Sequence, residues 1–215
     1  MRHFKFCCIG VALLALGPSV HATTFTFDTD PFAGTNVLNA PGRQIVGGED
    51  FISFSIAHDV FALDANVFGA GNSVQFVNSH AANVPSGGVN IVVLEDFDND
   101  NNPLTPFGAG NAADLIADRI SAAGPGFFVY FNQSLDLFWL VYSIDLSSNS
   151  ADLKVLARML NLNGQEGRNA MPTFTAANFA ITGANAAPEP SSFLMMAGVG
   201  IVGASYILRR VRRRG

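Results

Sequence analysis

Cysteine is almost missing from this 215-residue chain: Cys7 and Cys8 stand side by side near the start, and there are no others. Residues 23–187 therefore have no disulfide framework, no thiolate metal ligand and no thiol nucleophile. Basic residues are scarce in the same stretch: Arg43, Arg119, Lys154, Arg158 and Arg168 face sixteen acids, a net charge of about −11 that the whole-chain value of −5 conceals. No basic patch exists for nucleic acid, and the field of such a body repels anionic polymers and favours cations. Histidine is sparse too. His58 and His80 have no partner at metal-ligand spacing, and no serine sits in G-x-S-x-G. Residues 23–187 also lack any apolar run long enough to cross a bilayer and show no repeat of fixed period.

Residues 1–22 have the organisation of a secretory signal peptide: Arg2 and Lys5, an apolar core from Phe6 to Leu16, and the small-residue site Val20-His21-Ala22. Signal peptidase is expected to cut between Ala22 and Thr23, removing both cysteines. No cysteine follows the site, so a lipoprotein is not expected. About 165 residues then remain before the C-terminal signal, enough for one domain with a real core.

The other end carries three features in order. Pro188-Glu189-Pro190 precedes an uncharged apolar stretch, Ser191 to Leu208, and Arg209, Arg210, Arg212, Arg213 and Arg214 follow directly. As a helix the stretch extends about 27 Å, near the lower limit for a bilayer core. The arginines place the cytoplasm on their side and the body outside, and the prolines mark the helix boundary. Gly198-Val199-Gly200-Ile201-Val202-Gly203 matches a dinucleotide-binding pattern, but that pattern needs a preceding strand and a soluble helix; in a membrane, small residues serve helix packing.

This arrangement resembles the PEP-CTERM sorting signal of Gram-negative bacteria. The resemblance covers residues 188–215 alone. It implies that the membrane enzyme exosortase recognises Pro188, Glu189 and Pro190, cuts the chain and frees it from the membrane, with Arg209 to Arg214 as the inside anchor. The chain is then the substrate of a processing enzyme. The alternative is a single-span envelope protein that keeps its tail.

Between the two signals, short apolar runs alternate with turn residues. Thr23 to Phe27, Phe51 to Ile56, Val60 to Leu63, Val74 to Val77 and Val89 to Leu94 read as strands. Phe127 to Phe131 and Leu137 to Ile144, joined by Asn132 to Asp136, read as a hairpin. Turns are expected at Ala40-Pro41-Gly42 and Val84 to Gly88. Asn111 to Ala122 sets Leu115, Ile116 and Ile120 on one helical face, stopped by Gly124-Pro125. Leu153 to Leu160 fits helix or strand equally. The expected architecture is a mainly β domain over 23–182, an antiparallel, jelly-roll-like β-sandwich with one or two short helices, then a linker at 183–187.

The densest acidic stretch is Glu95 to Asn102. Asp96, Asp98 and Asp100 alternate like the first ligands of a calcium loop, but position six is Asn101 rather than Gly and position twelve is Phe107 rather than Glu. An EF-hand is excluded, leaving a looser Ca2+ site or a solvated acidic loop; no other cofactor is indicated. His58-Asp59 is a weak candidate for a metal site or general base. Trp139 with Tyr130 and Tyr142 is either a sugar-stacking platform or core. The function expected is that of a secreted, non-enzymatic cell-surface or extracellular-matrix protein. The PEP-CTERM resemblance adds an association with exopolysaccharide and biofilm. A polysaccharide hydrolase built on scattered carboxylates is the alternative.

Overall fold

A computed structural model describes residues 21–102 and 104–183. The signal-peptide core, the linker beyond Gly183 and the whole sorting signal lie outside the described residues. Among those described, no helix is long and apolar enough to cross a membrane.

The chain is mainly β. Its strands are β1 (Thr24–Phe27), β2 (Ile45–Val46), β3 (Asp50–Ile52), β4 (Val60–Asp64), β5 (Phe76–Ser79), β6 (Ile91–Leu94), β7 (Gly126–Asn132), β8 (Leu137–Ser143), β9 (Leu153–Asn163) and β10 (Phe179–Thr182). Three short helices accompany them: α1 (Ala65–Phe68), α2 (Ala109–Ala117) and α3 (Gly164–Ala170). A small sheet runs β1-β4-β10. A larger one runs β2-β9-β8-β7-β6-β5, with β3 also paired to β9.

The antiparallel expectation holds only for β7-β8-β9. Every other pairing is parallel, including the whole small sheet and β5-β6-β7, so the topology is not a jelly roll. The connections explain the difference. Between β6 and β7 the chain leaves the sheet, forms α2 and re-enters at the original end, a crossover that only parallel strands require. Burial of β6 has the same origin, since all four of its residues are buried, as expected where both faces of a strand are covered.

Two cores result. Ile91, Val93, Phe127, Val129, Phe138 and Leu140 of the large sheet share one with Phe27, Phe61, Leu63 and Phe179 of the small sheet. Val92, Leu94, Phe128, Tyr130, Val141 and Val155 share the other with Ala109, Ala112, Ala113 and Ile116 of α2. Alternate residues of each central strand thus serve opposite cores, the period-two rule of a pleated strand. The helix begins earlier than its apolar periodicity suggests: the Asn111 side chain accepts from the Gly108 N–H at 3.1 Å and caps it.

Leu153 to Leu160 is strand. Its apparent helical spacing comes from a bulge: Leu140 pairs with Ala157 and Val141 with Val155, so Leu156 is the extra residue and its side chain joins the inter-sheet core. Phe54, just past β3, lies 4.2 Å from Phe61 in a near-parallel stack. The Asn161 side chain holds it there, accepting from the Phe54 N–H at 2.7 Å and donating to its carbonyl at 2.9 Å, as a neighbouring strand does.

Candidate functional site

Cross-strand register places four side chains in one row. Phe51 of β3 is opposite Arg158 of β9, Arg158 is opposite Trp139 of β8, and Trp139 is opposite Tyr130 of β7. The Arg158 guanidinium carbon lies 4.4 Å from the centre of the Trp139 ring and 5.3 Å from that of Phe51. Trp139 and Tyr130 meet edge to face at 6.0 Å. The row grades from the fully buried Tyr130 through half-buried Trp139 to Phe51, which is 63% exposed. Glu49 forms an ion pair with Arg158; the glutamate side chain is only 5% exposed and the arginine 25%. Ile45 is exposed on neighbouring β2.

Two donors in the row, Trp139 Nε1 and Arg158 Nε, are buried without a hydrogen-bond partner. Tyr130 accepts from Asn132 Nδ2 at 2.9 Å. Burial holds its phenol well above the ordinary value, against the smaller opposing effects of the Asn132 bond and the Arg158 charge. Nothing in the row is an activated nucleophile or a free base. It is an aromatic and cationic row whose accessible ring is Phe51 at the sheet edge.

The sugar-platform trio is therefore divided. Tyr130 and Trp139 share the row, whereas Tyr142 points to the opposite side of the sheet, where its hydroxyl donates to the Phe68 carbonyl at 2.9 Å. Burial, and secondarily the Asp30 carboxylate, push Tyr142 up to about 12. Reading the sequence missed Phe51 and Arg158 as members. Arg158 joins only because Leu153 to Asn163 is strand and sets it opposite Trp139, and Phe51 only through the pairing of β3 with β9.

The acidic stretch is organised by its own backbone. Asp98 Oδ1 accepts from the N–H of Asp100 and of Asn101, both at 3.0 Å, and Asp100 Oδ1 from Asn102 at 2.9 Å. Asp96 turns elsewhere, accepting from the Ala81 N–H at 2.5 Å and meeting His80 Nδ1 at 3.1 Å. His80 Nε2 lies 3.5 Å from Glu95. Phe97 is pinned under Arg168, whose guanidinium carbon is 5.5 Å from the ring centre. Among the described residues, no group of three or more His, Cys, Asp or Glu is arranged to hold a metal ion. His58 is exposed, while Asp59 beside it is buried, with one oxygen accepting from Thr23 N–H and the other from Ser55 N–H, each at 2.8 Å. Asp59 is thus committed to backbone donors rather than to His58.

Comparison with known families adds one observation. Residues 186–214 match the model of the PEP-CTERM protein-sorting motif. The chain carries a PEP-CTERM sorting motif at its C-terminal end. The match contains Pro188, Glu189, Pro190 and the five arginines, and it points to secretion, transient membrane anchoring and exosortase processing. No curated protein and no solved structure matches the chain.

Proposed function

We propose that this protein is a non-catalytic structural or adhesive component of the cell surface or extracellular matrix, and that its ligand is a neutral extracellular polysaccharide. The row Phe51, Arg158, Trp139 carries the reading. A sugar ring presents C–H groups on its faces and hydroxyls around its rim; exposed Phe51 suits the face, and the partly exposed Arg158, held by Glu49 beneath it, suits the rim. The body's charge of about −11 selects against anionic polymers, and the charges at the row itself are paired with each other, which suits an uncharged glycan. The sorting motif supports delivery to where such polymers lie.

Two measurements test the reading. Intact mass of the protein from the native cell surface or medium is expected to give a species beginning at Thr23 and ending near Pro188. A species ending at Gly215 overturns the processing. Co-sedimentation of the secreted protein with neutral polysaccharide from the producing cells is expected, and Phe51→Ala, a change at an exposed edge, is expected to abolish it while leaving the fold intact. Equal sedimentation of both proteins overturns the ligand assignment.

A further inference from the structure

Asp59 is a buried carboxylate at the start of the small sheet. It is 5% exposed, its two oxygens accept from backbone N–H groups, and among the described residues no lysine or arginine forms an ion pair with it. A buried carboxylate ordinarily has both hydrogen bonds and a counter-charge. One of its two donors is the nitrogen of Thr23, at 2.8 Å, and Thr23 is the residue expected to follow the signal-peptide cut.

We infer that removal of the signal peptide supplies a cation to this carboxylate, the new α-ammonium of Thr23 pairing with Asp59 to lock the start of the small sheet. In the uncut chain the Thr23 nitrogen is a neutral amide. Hydrolysis adds hydroxide from water to the Ala22 carbonyl carbon and hydrogen to the Thr23 nitrogen. The Ala22 carboxyl then gives up its proton and the Thr23 amine takes one up, so the peptide leaves as a carboxylate and the body keeps an ammonium. The contact already present becomes charge-assisted, roughly twice as strong as a neutral bond.

The surroundings suit the change. Thr23 is exposed, so the two further ammonium hydrogens reach water while one stays on Asp59. The Thr23 carbonyl accepts from the Val60 N–H at 3.0 Å, and the next residues start the parallel pairing of β1 with β4, Thr24 opposite Val60. On the other side, Asn178 Nδ2 donates to the Asp59 carbonyl at 3.1 Å and to that of Ile56 at 2.6 Å, immediately before β10. The carboxylate thus stands where all three strands of the small sheet begin. Cutting one residue earlier or later places the charge elsewhere, so only a cut between Ala22 and Thr23 forms the pair. The inference is independent of the polysaccharide reading, and its tests involve no ligand.

The test uses the full chain secreted with its own signal peptide, alongside a version with one alanine inserted between Ala22 and Thr23, so that Thr23 N remains an amide after the cut. The native N-terminus is expected to melt about 2–4 °C higher, and the difference is expected to vanish in an Asp59→Asn background. Equal melting of the two chains, or an undiminished difference in that background, overturns the proposal. If Asp59→Asn does not fold, acetylation decides: the Thr23 α-amine is expected to react several-fold more slowly with acetic anhydride than the amine of the extended chain. Equal rates overturn the proposal, as does a mature N-terminus other than Thr23.

Discussion

Arg158 lies over the Trp139 ring, its guanidinium carbon 4.4 Å from the ring centre, while the same guanidinium binds the nearly buried Glu49. One side chain therefore joins β9 to β8 by cation–π contact and to the segment before β3 by charge.

Replacing Arg158 with Met keeps most of the volume but leaves Glu49 a buried carboxylate without its partner. The expected loss is near the lower end of the about 3–5 kcal/mol seen when one member of a buried pair is removed, because Arg158 is itself partly exposed. Chemical denaturation measures it, and Arg158→Met with Glu49→Gln is expected to recover part of the loss. Trp139 is the only tryptophan, so its emission reports the same change directly. An unaltered spectrum contradicts the stacking.

Gly126 opens β7 where no side chain fits. A Cβ there falls 2.6 Å from the Asn90 carbonyl oxygen and 2.4 Å from Leu146 Cδ1. The same carbonyl accepts from the Phe127 N–H, so it cannot retreat without loosening the β6–β7 pairing. Gly126→Ala is expected to destabilise by about 1–3 kcal/mol, read as a lower melting temperature. A neutral outcome is incompatible with this close approach.

The protein is expected to lose stability in alkali through Tyr142. Its folded value of about 12 lies above the ordinary 10 because burial and Asp30 disfavour the phenolate. The contribution is complete below pH 10 and is lost as pH rises toward 12. Tyr130, also raised by burial, acts in the same sense. Tyr142→Phe is expected to flatten the decline in melting temperature over that range, and an identical decline in both proteins would count against the assignment.

Calcium is expected to leave the melting temperature unchanged, since Asp96 is occupied with His80 and Ala81 while Asp98 and Asp100 accept from their own loop. A rise at millimolar calcium, reversed by chelator, would instead assign Asp96, Asp98 and Asp100 as ligands, because only binding to the folded state raises stability.

The hairpin of β7 and β8 was legible in the sequence because two apolar runs flank a five-residue turn, and α2 because Leu115 and Ile116 share a helical face, although the helix ends at Ala117, short of Ile120 and the expected end at Ala122. β9 was not. A bulge at Leu156 breaks the period of two and imitates the period of a helix. β10 and α3 left no clear pattern: Phe179 to Thr182 is short, and Gly164 to Ala170 lacks an apolar stripe. The candidate row was half visible through Trp139 and Tyr130; Phe51 and Arg158 join it only by register between distant segments.

The sequence by itself determined the routing motif, because Pro188-Glu189-Pro190, an apolar stretch and an arginine cluster form a linear signal read along the chain. It also determined the mainly β character, since alternation and turn residues are local properties. Strand direction and sheet order needed the tertiary structure: β6, held in parallel pairs, and β7, antiparallel to β8, are both buried along their whole length, so an apolar run does not report which way its neighbour runs. The same holds for Tyr142 parting from Trp139 and for Asp59 meeting Thr23. Each follows from which distant segment a residue faces, and that is decided only when the two sheets and α2 close around their cores.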